Sequence, residues 1–223
     1  MITTPDLVTV LASNLAPVRR LRPPLARAAC WLLVAALVLG LLAVSQGVRP
    51  DLFQRLQDST FVMSMAAALL TGILAAVAAF MISIPGRSAL WSLLPAPTLI
   101  VWLSTVGYQC LTEWVTLGPD GIRLGEATRC FATLVLTGFP LSLAMLVMLR
   151  HAARLRPVAV GLIGGLAVAA ITATALSLFH ELDATVMILA WNLGVAALIV
   201  ALGGAWGRKI FSWVAPRSPL HGD

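Results

Sequence analysis

The sequence predicts an all-α fold: an integral membrane bundle of six transmembrane helices behind a short amphipathic N-terminal helix. Three observations predict it. Of 223 residues, 60% are hydrophobic and only 11% charged, and the mean hydropathy is +0.95. A soluble domain of this length cannot hide that much apolar surface, whereas lipid solvates it. Six apolar stretches free of Asp, Glu, Lys and Arg are each long enough for a hydrocarbon core that takes about 20 helical residues to cross. Finally, the basic residues gather in alternate loops. The net charge of +6 therefore reports membrane orientation, not nucleic-acid binding.

The stretches are Ala28–Val48, Phe61–Ile84, Ala89–Cys110, Cys130–Leu149, Pro157–Phe179 and Ala184–Trp206. None alternates with period two, so a barrel is excluded and each must be a helix. The first is too long, and starts too far from Met1, to be a signal peptide. Gly72-xxx-Ala76, Gly161-xxx-Gly165 and Gly203-xxx-Gly207 offer small faces for close helix approach. Pro95, Pro97 and Pro140 are expected to kink or unwind their helices. Trp31, Trp91, Trp114 and Trp213 fall near the two interfaces and read as aromatic-belt anchors, and Cys30 as packing. The chain divides into a segment 1–26, a transmembrane domain 27–207 and a tail 208–223.

Orientation follows from the loops. One side carries Arg19, Arg20, Arg22, Arg27, Arg87, Arg150, Arg154, Arg156, Arg208, Lys209 and Arg217 against Asp6 and Asp223 alone. The other carries Arg49, Arg55, Arg123 and Arg129 against seven acids. The positive-inside rule places both termini in the cytoplasm.

The chemistry excludes several functions. No ionisable residue lies within the six stretches, where ion-coupled transporters and proton pumps keep theirs. There is no phosphate-binding glycine loop, HExxH or nucleophile elbow. His151, His180 and His221 are divided between the two sides. The expectation is a protein that is not an enzyme.

The N-terminal segment is patterned. Thr4 can cap a helix, Pro5 suits its first position, and Asp6 complements its dipole. Leu7, Leu11 and Leu15 recur four residues apart, flanked by Val8 and Val18, with Thr9, Ser13 and Asn14 opposite. Pro17 ends the pattern, and Arg19, Arg20, Arg22 and Pro23-Pro24 lead stiffly into the first span. Such a helix either lies on anionic lipid or lays its apolar face into a partner's groove.

On the other side, Cys110 ends the third stretch and Cys130 begins the fourth. A bridge between them would close a loop of about 20 residues and stabilise by about 3 kcal/mol in the chain-entropy description. Alternatively, Cys110, Cys130 and His180 supply ligands that suit zinc or another thiophilic metal, with Glu113 or Glu181 adding an oxygen. Plain packing is the third reading. No resident cofactor is expected otherwise.

A longer series of residues resembles a known family. Leu11-Ala12-Ser13-Asn14-Leu15-Ala16-Pro17-Val18-Arg19-Arg20-Leu21-Arg22-Pro23-Pro24 is similar to the start of the NrsF family of bacterial membrane-bound anti-sigma factors. Arg49-Pro50-Asp51-Leu52, Ile84-Pro85-Gly86-Arg87, Gly118-Pro119-Asp120-Gly121, Cys130, Leu155-Arg156-Pro157, Trp191 and Gly194 extend the match in order. The resemblance implies a six-helix inner-membrane protein. Its cytoplasmic N-terminus, here Asp6, Leu7, Leu11, Asn14, Leu15, Pro17, Val18, Arg19, Arg20 and Arg22, would hold an extracytoplasmic-function sigma factor away from RNA polymerase, with no direct contact to nucleic acid. It also implies release on metal or oxidative stress, sensed by two cysteines on the outer side. Two departures stand out: Asn14 replaces a common Asp, and His180 stands where the second family cysteine is expected. The competing expectation is a small transporter or channel for a neutral or metal substrate, with a polar path through the kinked third and fourth stretches. Oligomeric state is left open by the sequence.

Overall fold

A computed structural model describes residues 4–13, 22–113, 124–149 and 157–179. The described elements are helices α1 (Thr4–Ser13), α2 (Pro24–Gln46), α3 (Leu52–Arg55), α4 (Ser59–Ile82), a 3₁₀ turn (Ala89–Leu93), α5 (Ala96–Glu113), α6 (Leu124–Leu149) and α7 (Pro157–Phe179). Five helical segments among the described residues are long and apolar enough to cross a membrane. The sixth expected span, Ala184–Trp206, lies outside the described residues.

The long helices begin and end where local chemistry dictates. Pro24 occupies the start of α2, where a missing N–H costs nothing. At its other end the Gly47 N–H donates to the Ala43 carbonyl, a last helical bond, and the chain leaves the helix there at φ +76°, which glycine permits. Asp58 caps α4 by accepting from the Thr60 N–H at 2.9 Å. The Ile84-Pro85-Gly86-Arg87 motif is a tight turn: Arg87 N–H donates to the Ile84 carbonyl, and Gly86 takes φ +83°. That is the type II pattern, proline second and glycine third.

Two helix starts differ from the sequence expectation, and one break agrees with it. Helix α2 starts four residues before Ala28 and so takes in Arg27. The third span is broken as its prolines predict, into the 3₁₀ turn and α5, with Pro95 buried between them. Helix α6 starts at Leu124, six residues before Cys130, and runs on through Pro140.

Helix α4 is the centre. It packs most extensively on α7 and also on α5 and α2, while α6 packs on α7 and α2. Lipid tails are as apolar as leucine, so close packing of small residues has to hold such helices together. Accordingly Ala67, Ala68, Ala75, Ala76, Ala78 and Ala79 of α4 are buried. A Cβ at Gly72 would stand 2.8 Å from Ile171 Cδ1 and 3.3 Å from the Ile171 backbone nitrogen. The Gly72-xxx-Ala76 face is thus the α4–α7 contact. Gly161 and Gly165 differ from expectation, since a Cβ there meets nothing within 4 Å; Gly164 faces Met145 instead. The main core joins Trp31, Phe80, Leu141, Met145 and Ile171 across α2, α4, α6 and α7. A smaller one seats Trp102 and Val106 of α5 against Ala67, Ala68, Ala170 and Ala173. Leu33, Leu37, Leu41 and Val44 on α2, and Leu136, Phe139, Leu143 and Leu146 on α6, face outward. In water that apolar surface would be untenable; in a bilayer it is the solvated face.

Candidate functional site at the two ends of the bundle

Each end of the bundle is closed by a buried arginine. At one end Arg49, 4% exposed, donates from Nε and Nη2 to the two carboxylate oxygens of Asp51 at 2.7 and 2.8 Å. Its guanidinium also lies over the Phe61 ring, 5.8 Å from the centroid. The Arg49 backbone N–H donates to the Leu178 carbonyl at 3.1 Å, tying the α2–α4 connection to the last turn of α7. Hydrogen bonding from Arg49 holds the Asp51 carboxyl below the usual carboxylate range, against a smaller opposing effect of desolvation. The Arg49-Pro50-Asp51-Leu52 motif is therefore a structural clip.

At the opposite end Arg27, one turn inside α2, is 7% exposed. Its Nη2 donates to the Met148 carbonyl in the last turn of α6, and its guanidinium lies 5.1 Å from the centroid of Phe80 in the last turn of α4. Unsatisfied carbonyls collect at helix C-termini, and a cation complements that end of the helix dipole. Among the described residues Nη1 is buried with no partner and no carboxylate pairs with Arg27. Sequence reasoning missed this residue, reading it as a topology charge outside the first span. Trp31, read as an interfacial anchor, is likewise corrected: it is fully buried and donates Nε1–H to the Leu141 carbonyl at 3.2 Å.

The cysteine-bearing helix ends belong to the Arg49 end. Cys110 lies one turn before the end of α5 and Cys130 six residues into α6. Among the described residues α5 packs chiefly on α4, and α6 on α7 and α2, so the two carriers share no extensive contact. His180 falls outside the described residues, immediately beyond α7. Among the described residues no cluster of three metal-ligating side chains occurs. Cys30, on α2, is exposed.

Of the N-terminal set, Asp6, Leu7 and Leu11 lie on α1, with Asp6 in its first turn and the neighbouring Val8 exposed. Asn14, Leu15, Pro17, Val18, Arg19 and Arg20 lie outside the described residues, and Arg22 is exposed just ahead of α2. The buried hydroxyls of Thr71, Thr137 and Thr174 bond carbonyls of their own helices, at Ala67, Thr133 and Ala170. They are consumed locally and do not line a polar path.

The fold defines the class: an all-helical protein, among its described residues, whose long helices suit a membrane and whose ends are closed by buried arginines. The chain belongs to the NrsF family, described as negative regulator of sigma F, whose family model matches residues 11–213. It is thus a negative regulator with a sigma factor as its partner. No curated protein and no solved structure matches the chain.

Proposed function

We propose that this protein is an anti-sigma factor of the bacterial inner membrane that sequesters an extracytoplasmic-function sigma factor through its cytoplasmic N-terminal segment, residues 6–22. The family match over almost the whole chain carries this reading. The helix α1 ahead of the first span, with Val8 exposed on it, supports it. Both termini are cytoplasmic in this reading, which makes the Arg27 end the inner end and the Arg49 end the periplasmic one. Residues 27–207 form the membrane domain and 208–223 a cytoplasmic tail. Release begins at the periplasmic end, at Cys130 with either Cys110 or His180. Moving a partner from almost fully bound to mostly free takes several kcal/mol of differential affinity between two bundle states, within reach of a disulfide or a metal bond.

The experiment is a reporter of sigma-dependent transcription in cells carrying the full-length protein. Leu11→Glu places a charge in the proposed apolar contact and should raise unstressed transcription at least about tenfold, about 1.4 kcal/mol of lost binding. A variant that inserts normally and keeps the reporter silent removes α1 from the docking role. Cys130→Ser should abolish the response to oxidants or thiophilic metals while leaving insertion intact. A matching effect of Cys110→Ser alone identifies a disulfide, and of His180→Ala as well, a metal site. If all three respond like wild type, the signal does not enter at these residues.

A further inference from the structure

Resting on that reading, we propose that the α2–α6 pair is the element that carries a signal across the membrane. In it Arg27 is the positioning residue that holds the docking segment in its sequestering arrangement. Three polar ties lace the pair from end to end. Thr133 Oγ1–H donates to Gln46 Oε1 at 3.1 Å near the Arg49 end. Trp31 Nε1–H donates to the Leu141 carbonyl in the middle. Arg27 donates to the Met148 carbonyl at the other end. Cross-helix bonds of this kind restrain the relative register of the two helices.

The residues at the two extremities connect the proposed input to the proposed output. Cys130 lies one turn before Thr133 on α6, and Met148 lies about 27 Å further along the same unbroken helix. Arg27 lies in the first turns of α2, directly after the segment 6–22 and the Pro23-Pro24 joint. Pro fixes φ, and Pro23 is extended at φ −51° and ψ 143°, so the joint transmits a movement of α2 instead of absorbing it. Midway, Pro140 removes one bond from the α6 ladder beside the Trp31 tie, so a bend there pivots on that tie and moves Met148 relative to Arg27. The clasp is built to be exchangeable. Among the described residues one carbonyl and one ring hold the guanidinium, and Nη1 has no partner. A fully paired arginine would lock the end and pass nothing on.

The test uses the full-length protein, its sigma factor and the same reporter, normalised to the amount of protein in the membrane. Arg27→Met should raise unstressed transcription by roughly five- to tenfold. Arg27→Lys, which keeps a donor for Met148 and a cation over Phe80, should retain most of the repression. Trp31→Phe, which removes only the N–H, should give an increase of roughly two- to threefold. A role in folding alone predicts less protein but undiminished repression per molecule. Normal amounts of Arg27→Met with wild-type repression overturn the proposal, provided Leu11→Glu derepresses in the same cells. If Leu11→Glu is silent too, the docking reading falls first and this inference with it. Should Arg27→Met fail to accumulate, Trp31→Phe decides: derepression supports the coupled pair, and full repression overturns it.

Discussion

The two arginines at opposite ends of the bundle are both buried, but their surroundings differ in kind. Arg49 has its own carboxylate two residues away, a ring beneath it and a backbone bond to α7. Arg27 has a ring and a carbonyl, and a buried N–H group left over. A buried cation is expensive unless it is paired, so the Arg49 end is closed by a satisfied local clip and the Arg27 end by an under-satisfied clasp between helices. One arrangement favours permanence and the other exchange. In the proposed reading, the exchangeable clasp lies at the end that carries the docking segment.

Measurements on the purified protein in detergent sharpen the contrast. Arg49→Met removes two charge-assisted hydrogen bonds and a ring contact and should cost about 2 kcal/mol of stability, read from thermal or denaturant unfolding. Arg27→Met should lie within about 1 kcal/mol of wild type, because it also removes a buried unsatisfied donor. Equal losses at the two sites would erase the distinction. The smallest effect is expected from pH. The Asp51 carboxyl is depressed in the folded protein, so its contribution is complete above the unfolded carboxylate value and is lost only as pH falls through the lower folded value. Between pH 7 and about pH 5 the clip should therefore add no pH dependence to unfolding. A marked loss of stability in that window that Asp51→Asn removes would show that the carboxyl is not held low.

Much of the fold was legible because apolar length reports a membrane helix directly. All five stretches that fall within described residues correspond to long helices, and the prolines at 95 and 97 break the third as expected. Gly72 was legible for the same local reason, since small residues four apart allow close approach. Arg27 was not. A lone arginine before an apolar run reads as an orientation charge, and by composition the run itself begins one residue later, at Ala28. The corrective signal lay in Pro24 as a helix start: with α2 beginning there, Arg27, Trp31 and Ala35 fall four residues apart on one buried stripe. The meaning of Arg49-Pro50-Asp51-Leu52 needed tertiary structure, because the partner of its backbone, Leu178, lies far along the chain.

Helix α6 has 26 residues, about 39 Å of length against a hydrocarbon core of about 30 Å. Roughly 9 Å must therefore be taken up by tilt or stand clear of the acyl chains. Glu126 and Arg129 lie in its first turns, so that end is the natural one to emerge. Tilt also makes membrane thickness a variable of the protein: a thinner bilayer forces α6 to lean further. Under the proposed coupling of α6 to α2, such a lean would reach Arg27 through the three polar ties.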